Sequence, residues 1–165
     1  MIVVADSSPL NYLILIGEAN ILHRLYGRVL IPHAVAQELQ HVRTPPVVRD
    51  WLVNKPIWLE IQDVKVSKKE GLLELDLGER EAIVLAQKHL PDVLLLMDEE
   101  NGRHEADQRH IRTTGTLGVL EDAASRGFLD LSVSLARLRT TNFRVSESLL
   151  QWFLDRDAHR RKRKT

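Results

Sequence analysis

Ile2-Val3-Val4-Ala5-Asp6-Ser7-Ser8-Pro9-Leu10 stands at the start of the chain. Four apolar residues, three of them β-branched, suit a strand buried on both faces, as in a parallel sheet. Asp6 ends the run. Ser7 or Ser8 then serves as N-cap, with Pro9 near the first helical position, where its missing N–H costs nothing. In open α/β sheets ligands bind outside the carboxyl ends of the strands, so a carboxylate there is aimed at a site. Asp also suits such turns as a plain cap, and the other acids decide between the two roles.

Outward from this stretch, helices are expected over 9–16 and 18–26, the second with Ile21, Leu22 and Leu25 at helical spacing. Residues 28–31 read as a short strand and Pro32 as the N1 residue of a helix with apolar positions Ala34, Val35, Leu39 and Val42. Glu38 lies beside that stripe, as an ordinary solvated helix glutamate also does. A helix over 47–54, an edge strand within 57–66 and a short helix over 67–75 follow. The strongest helical pattern is 79–89, with Ala82, Ile83, Leu85 and Ala86 on one face; Glu79 and Glu81 in its first turn also complement the helix dipole. Residues 92–97 then run apolar into Asp98, a second buried strand ending in acid. A helix over 101–110, a strand over 111–113, a glycine-containing turn at 114–118, and helices up to Gly127, over 131–138 and over 146–157 complete the chain.

Strands alternating with helices in this order give an α/β fold, a three-layer α/β/α sandwich with a mostly parallel central sheet and right-handed crossovers. That topology gathers Asp6, Asp98 and the start of the Glu79 helix on the carboxyl-end side of the sheet, with Glu38 brought in from the third helix.

The totals bound the rest. At 165 residues the chain reads as a single domain over 1–157, large enough to bury about two-thirds of its unfolded surface. The run Arg160-Arg161-Lys162-Arg163-Lys164 makes 158–165 a basic, disordered tail, solvated or in contact with phosphates or an acidic partner. Hydrophobic residues at 44% and charged residues at 28% are ordinary for a soluble globular protein. The absence of cysteine excludes a disulfide framework and a Cys-ligated zinc site, and fits a cytoplasmic protein. No signal peptide or membrane span is expected. Net charge is zero, whereas nucleic-acid binders usually present a basic face. Trp51, Trp58 and Trp152 read as core or partner-facing anchors, and His33, His104 and His110 as surface residues without metal-cluster spacing.

Several converging carboxylates without His or Cys partners suit hard, oxygen-seeking cations, Mg²⁺ or Mn²⁺. Clustered acids raise one another's pKa and make physical sense with a metal or cationic partner. A metal so held activates water and stabilises a phosphodiester's oxygens during hydrolysis. Such a centre needs Asp6 and Asp98 to face a common space, neither of them neutralised by a permanent internal arginine.

Asp6-Ser7-Ser8-Pro9-Leu10, Ile31-Pro32 leading to Glu38, Leu77-Gly78-Glu79-x-Glu81-Ala82-Ile83, Asp98 after its apolar strand and Thr114-Gly115-Thr116-Leu117-Gly118-Val119-Leu120 together resemble the PIN-domain family over about residues 1–155. The pattern is most similar to a prokaryotic PIN-like, nucleic-acid-binding subfamily related to VapC-type toxins. The resemblance implies Mg²⁺- or Mn²⁺-dependent cleavage of RNA, a small antitoxin protein that blocks the site, and a homodimer. It makes Asp6, Glu38, Glu79 and Asp98 the catalytic, metal-holding quartet, with Glu81 as alternate to Glu79, since two helix positions lie about 200° apart. It also gives Ser7 to a metal-bound water or ligand, Arg103 to a phosphate and Thr116 to the substrate side. Arg103 equally suits a solvated helix pair with Asp107. The expected function is thus a metal-dependent ribonuclease, the toxin of a pair; the alternative is a catalytically silent PIN-like domain that binds RNA or protein. A phospho-acceptor receiver domain fits less well, because no lysine follows a late strand to serve its pocket.

Overall fold

A computed structural model describes Met1–Thr165. β1 (Ile2–Ala5) takes the centre of a five-stranded sheet of order β3-β2-β1-β4-β5, with β2 at Val29–Pro32, β3 at Leu59–Gln62, β4 at Val93–Leu96 and β5 at Arg112–Thr114. Every pairing is parallel, with Val3 opposite Val29 on one side and Leu94 on the other. A central parallel strand has both faces covered, which explains why its sequence is continuously apolar rather than alternating. Side chains still alternate in space: Val3, Ala5, Val29 and Ile31 join one core cluster, Val4, Leu30, Leu95 and Met97 the other.

The helices that cover the first face include α1 (Ser7–Leu15), α2 (Ile21–Tyr26), α4 (Pro46–Val53), α7 (Thr116–Ser125), α8 (Leu131–Arg139) and the start of α9 (Glu147–Lys164). α3 (His33–Leu39) gives Val35, Ala36 and Leu39 to the same cluster. The second face is covered by α5 (Leu77–Gln87) and α6 (Glu100–Gln108), through Ala82, Ile83, Leu85 and Ala106. The result is the three-layer α/β sandwich expected, with a fully parallel sheet.

The expected elements shift at several boundaries. α1 begins two residues early, with Asp6 rather than Ser7 or Ser8 at the N-cap position and Pro9 inside the first turn. Pro32 is the last residue of β2 and N-cap of α3, and that helix stops at Leu39, so Val42 is exposed rather than part of its apolar stripe. Ile57 lies outside β3 and is exposed, and the helix expected over 67–75 is a single 3₁₀ turn at Lys68–Glu70. The turn expected at 114–118 is shorter, because Thr116 already starts α7. Trp58 is buried, whereas Trp152 is exposed under the Arg156 guanidinium.

The basic run expected to be disordered instead continues α9 to Lys164. Its charges are not all free: Arg160 and Arg161 pair with Asp157 three and four residues back, Arg161 also reaches Asp130, and Lys164 Nζ donates to the Ser125 carbonyl at 2.9 Å. Pairs at these spacings support a helix that composition alone reads as frayed. No helix is long and apolar enough to cross a membrane.

Candidate active site

β1 connects to β2 on one side, while the chain returns from β3 to pair β4 with β1 on the other. The connections thus diverge between β1 and β4, and the crevice at their carboxyl ends is where open α/β sheets bind ligands. Asp6 and Asp98 lie just past these two strands, tied together by the Asp6 N–H donating to the Leu96 carbonyl at 2.9 Å.

Asp6 is 3% exposed and its Oδ1 has no hydrogen-bond partner. Burial pushes its carboxyl up to about 8, and Glu38, Asp76 and Glu79 add negative charge around it; the Ser7 N–H pulls the other way. No cation is among the groups acting on it. A buried acid in a field of acids is costly to ionise without a positive partner.

Glu38 comes from the last turn of α3. Its Oε2 accepts the Ser7 hydroxyl at 2.7 Å, and the Gly78 N–H at the start of α5 lies near enough to lower its pKa. The fit against Gly78 is tight, since a Cβ there would lie 2.2 Å from Glu38 Oε1. Glycine is therefore used for close approach rather than for an unusual backbone angle. Desolvation holds the Glu38 carboxyl above its ordinary range, with Asp76 adding to the effect.

Glu79 is nearly buried and locked in a reciprocal capping box. Its N–H donates to Asp76 Oδ1 at 2.8 Å, and its own Oε2 accepts the Asp76 N–H at 3.1 Å. Burial and the Asp76 charge raise its pKa, with Glu99 and Glu38 contributing. Glu81, equally buried, takes another direction. Its carboxylate faces the Ala34 N–H and His33 at the start of α3, both of which lower its pKa, while burial raises it most. The two glutamates divide as helix geometry requires: Glu79 adds negative charge at Asp6 alongside Glu38 and Asp76, whereas Glu81 turns toward the start of α3 and adds charge at Glu38.

Asp98 is oriented separately. Thr116 gives it two bonds of 2.7 Å, from the backbone N–H to Oδ1 and from the hydroxyl to Oδ2. Gly115 leaves room for it, because a Cβ there would lie 2.7 Å from Oδ1. Burial raises the Asp98 pKa, the Thr116 bonds and Arg103 lower it, and Arg103 forms no ion pair with it. Thr116, expected on the substrate side, thus acts first as the clamp of an acid.

Beside Asp98 opens a cleft of about 790 Å³ lined by Tyr12, Glu99, Arg103, Asn142, Phe143 and Arg144, among others. Sequence reading passed over most of this wall. Asp76 carried a signal, the D-x-x-E spacing of a capping box ahead of an apolar helix. The loop between α8 and α9 carried none, since nothing in its composition ties it to residues 130 positions away.

Donors that are all oxygens, no cation acting on Asp6 and one orphaned carboxylate oxygen buried there match what Mg²⁺ or Mn²⁺ takes. No three acidic or histidine side chains are grouped closely enough to ligate one ion directly. The match is therefore one of donor chemistry and charge, of the kind Mg²⁺ uses when it keeps several waters and takes one or two carboxylates.

A family model described as a PIN domain matches residues 2–158. No curated protein and no solved structure matches the chain.

Proposed function

Because the chain belongs to the PIN-domain family, a class of nucleic-acid-binding nucleases that typically use divalent metals, we propose that it is a Mg²⁺- or Mn²⁺-dependent endoribonuclease. The single observation that supports this most is Asp6: almost wholly buried, with Oδ1 unpartnered, and surrounded by further acids. Its charged form is stabilised by a cation, and without one the carboxyl keeps its proton.

Asp6, Glu38, Glu79 and Asp98 are the residues that would surround the metal, one or two of them as direct ligands and the others through its waters. A bound divalent ion would supply an activated water and charge neutralisation at the phosphodiester. The chain's own work is orientation. Ser7 fixes Glu38, Asp76 fixes Glu79, and Thr116 fixes Asp98. Arg103, exposed at the cleft beside Asp98, is a cation available to a phosphate. Incubating the purified chain with single-stranded RNA and Mn²⁺ tests this reading. Cleavage that EDTA stops and Asp6→Asn reduces at least 100-fold is expected; identical behaviour of parent and variant would sink it. Resemblance to VapC-type toxins supports placement as the toxin of a pair, and growth arrest on expression, relieved by co-expressing a small neighbouring gene, tests that.

A second reading, a silent domain that keeps the fold and binds RNA or protein, is favoured by one observation: no three carboxylates stand close enough to share an ion directly. Metal-dependent stabilisation separates the two.

A further inference from the structure

The cleft beside Asp98 has a wall that metal chemistry does not use. Tyr12, from α1, and Phe143, from the loop between α8 and α9, meet edge to face with ring centroids 4.9 Å apart. The Tyr12 hydroxyl donates to Asn142 Oδ1 at 2.9 Å, which leaves the Asn142 amide N–H groups free to donate outward. Arg103 and Arg144, both exposed, line the same cleft, and neither is held in an ion pair. Around 790 Å³ is ample for a small polar ligand with an aromatic face.

We propose that the Asn142-Phe143-Arg144 loop, with Tyr12, forms a nucleobase subsite that seats one unpaired base of the RNA next to the phosphate presented to Asp98. Aromatic rings take a base by stacking, whatever its identity. The free amide of Asn142 donates to an acceptor on the base edge, and Arg144 and Arg103 meet the flanking phosphates. A base in a duplex is stacked and paired, so the subsite selects single-stranded positions. This inference rests on the reading of the chain as a nucleic-acid enzyme and assigns to this loop the selection of where the strand is held.

The test measures binding alone. Fluorescence anisotropy with a labelled single-stranded oligouridylate 10-mer, on the Asp6→Asn chain in EDTA, removes cleavage from the readout. Asn142→Ala and Arg144→Glu, both at exposed positions, and Phe143→Ala are each expected to weaken binding about 5- to 10-fold or more, with Phe143→Trp restoring it. A fully abasic 10-mer, which offers no base in any register, is expected to bind as weakly to the Asp6→Asn chain as the intact 10-mer does to Phe143→Ala. Should Phe143→Ala fail to fold, Asn142→Ala and Arg144→Glu decide. Unchanged affinity in those two variants, a fully abasic 10-mer bound as tightly as the intact strand, or an RNA duplex bound as tightly as the single strand would overturn the subsite. If the expected losses of binding are found in a chain whose parent never cuts RNA with Mn²⁺, the subsite stands and the nuclease reading fails.

Discussion

At the scale of single residues, Asp6 ties stability to pH and to metal. In the folded, metal-free chain its carboxyl holds a proton up to about pH 8, against 3.8 ordinarily, because burial and neighbouring acids oppose its charge. Between those values the folded state binds more protons than the unfolded one, so stability falls as pH rises through that window. Glu38, Glu79 and Asp98, all raised, act in the same direction. Melting temperatures in EDTA from pH 5 to 8 should therefore decline for the parent and decline less for Asp6→Asn; an equal slope would contradict the burial of an unpaired acid. Gly78 separates stability from activity. In Gly78→Ala the new Cβ would meet the end of a flexible side chain, Glu38 Oε1 at 2.2 Å. The carboxylate can swing aside, and helix propensity gains up to about 1 kcal/mol. The variant is expected to fold with an unchanged or slightly higher melting temperature yet lose cleavage, as Glu38 leaves Ser7 and the Gly78 N–H.

At the scale of elements, α5 does two tasks with one capping box, holding its first turn and fixing the Glu79 carboxylate. Asp76→Ala should cost about 1 kcal/mol of stability, as loss of an N-cap does, and should lower cleavage as well, because Glu79 loses its clamp. Asp76→Ser, which restores the cap, should recover the stability measured by urea denaturation. How much of this was legible in the sequence follows from the range of each signal. β1 and β4 were plain because a doubly buried strand is written as consecutive Ile, Val and Leu ending in Asp. α5 was plain because Ala82, Ile83, Leu85 and Ala86 repeat at helical spacing. The sharing of roles between Glu79 and Glu81 was open, since it depends on which neighbour stands at each face: Asp76 on one, the start of α3 on the other. α9 was misjudged at its end because the acids that hold its cations, Asp157 and Asp130, come from one helical turn back and from a different helix. The cleft wall was illegible, because Tyr12 and Asn142 meet only through the completed fold.

For the molecule as a whole, zero net charge conceals separation. Acids gather at the carboxyl ends of β1 and β4, while the basic run of α9 begins about 10 Å along the helix from Phe153, the last residue by which α9 borders the cleft, and its first two arginines are paired with Asp157. With those arginines paired, the run offers the site little positive charge, and on the nuclease reading a divalent cation supplies it. A divalent ion binding only the folded chain adds about 2.7 kcal/mol at a hundred times its dissociation constant. For a protein of this size that is a rise in melting temperature on the order of 5–10 °C. Thermal unfolding with and without saturating Mn²⁺ is expected to show such a rise for the parent, reversed by EDTA, and to show it sharply reduced in Asp6→Asn and in Asp98→Asn. A parent chain indifferent to Mn²⁺ would favour the silent, binding-only reading, because a folded cluster with no use for a cation has no means of activating water. A rise that persists in both variants would mean that the ion sits elsewhere, and would detach the metal from Asp6 and Asp98 altogether.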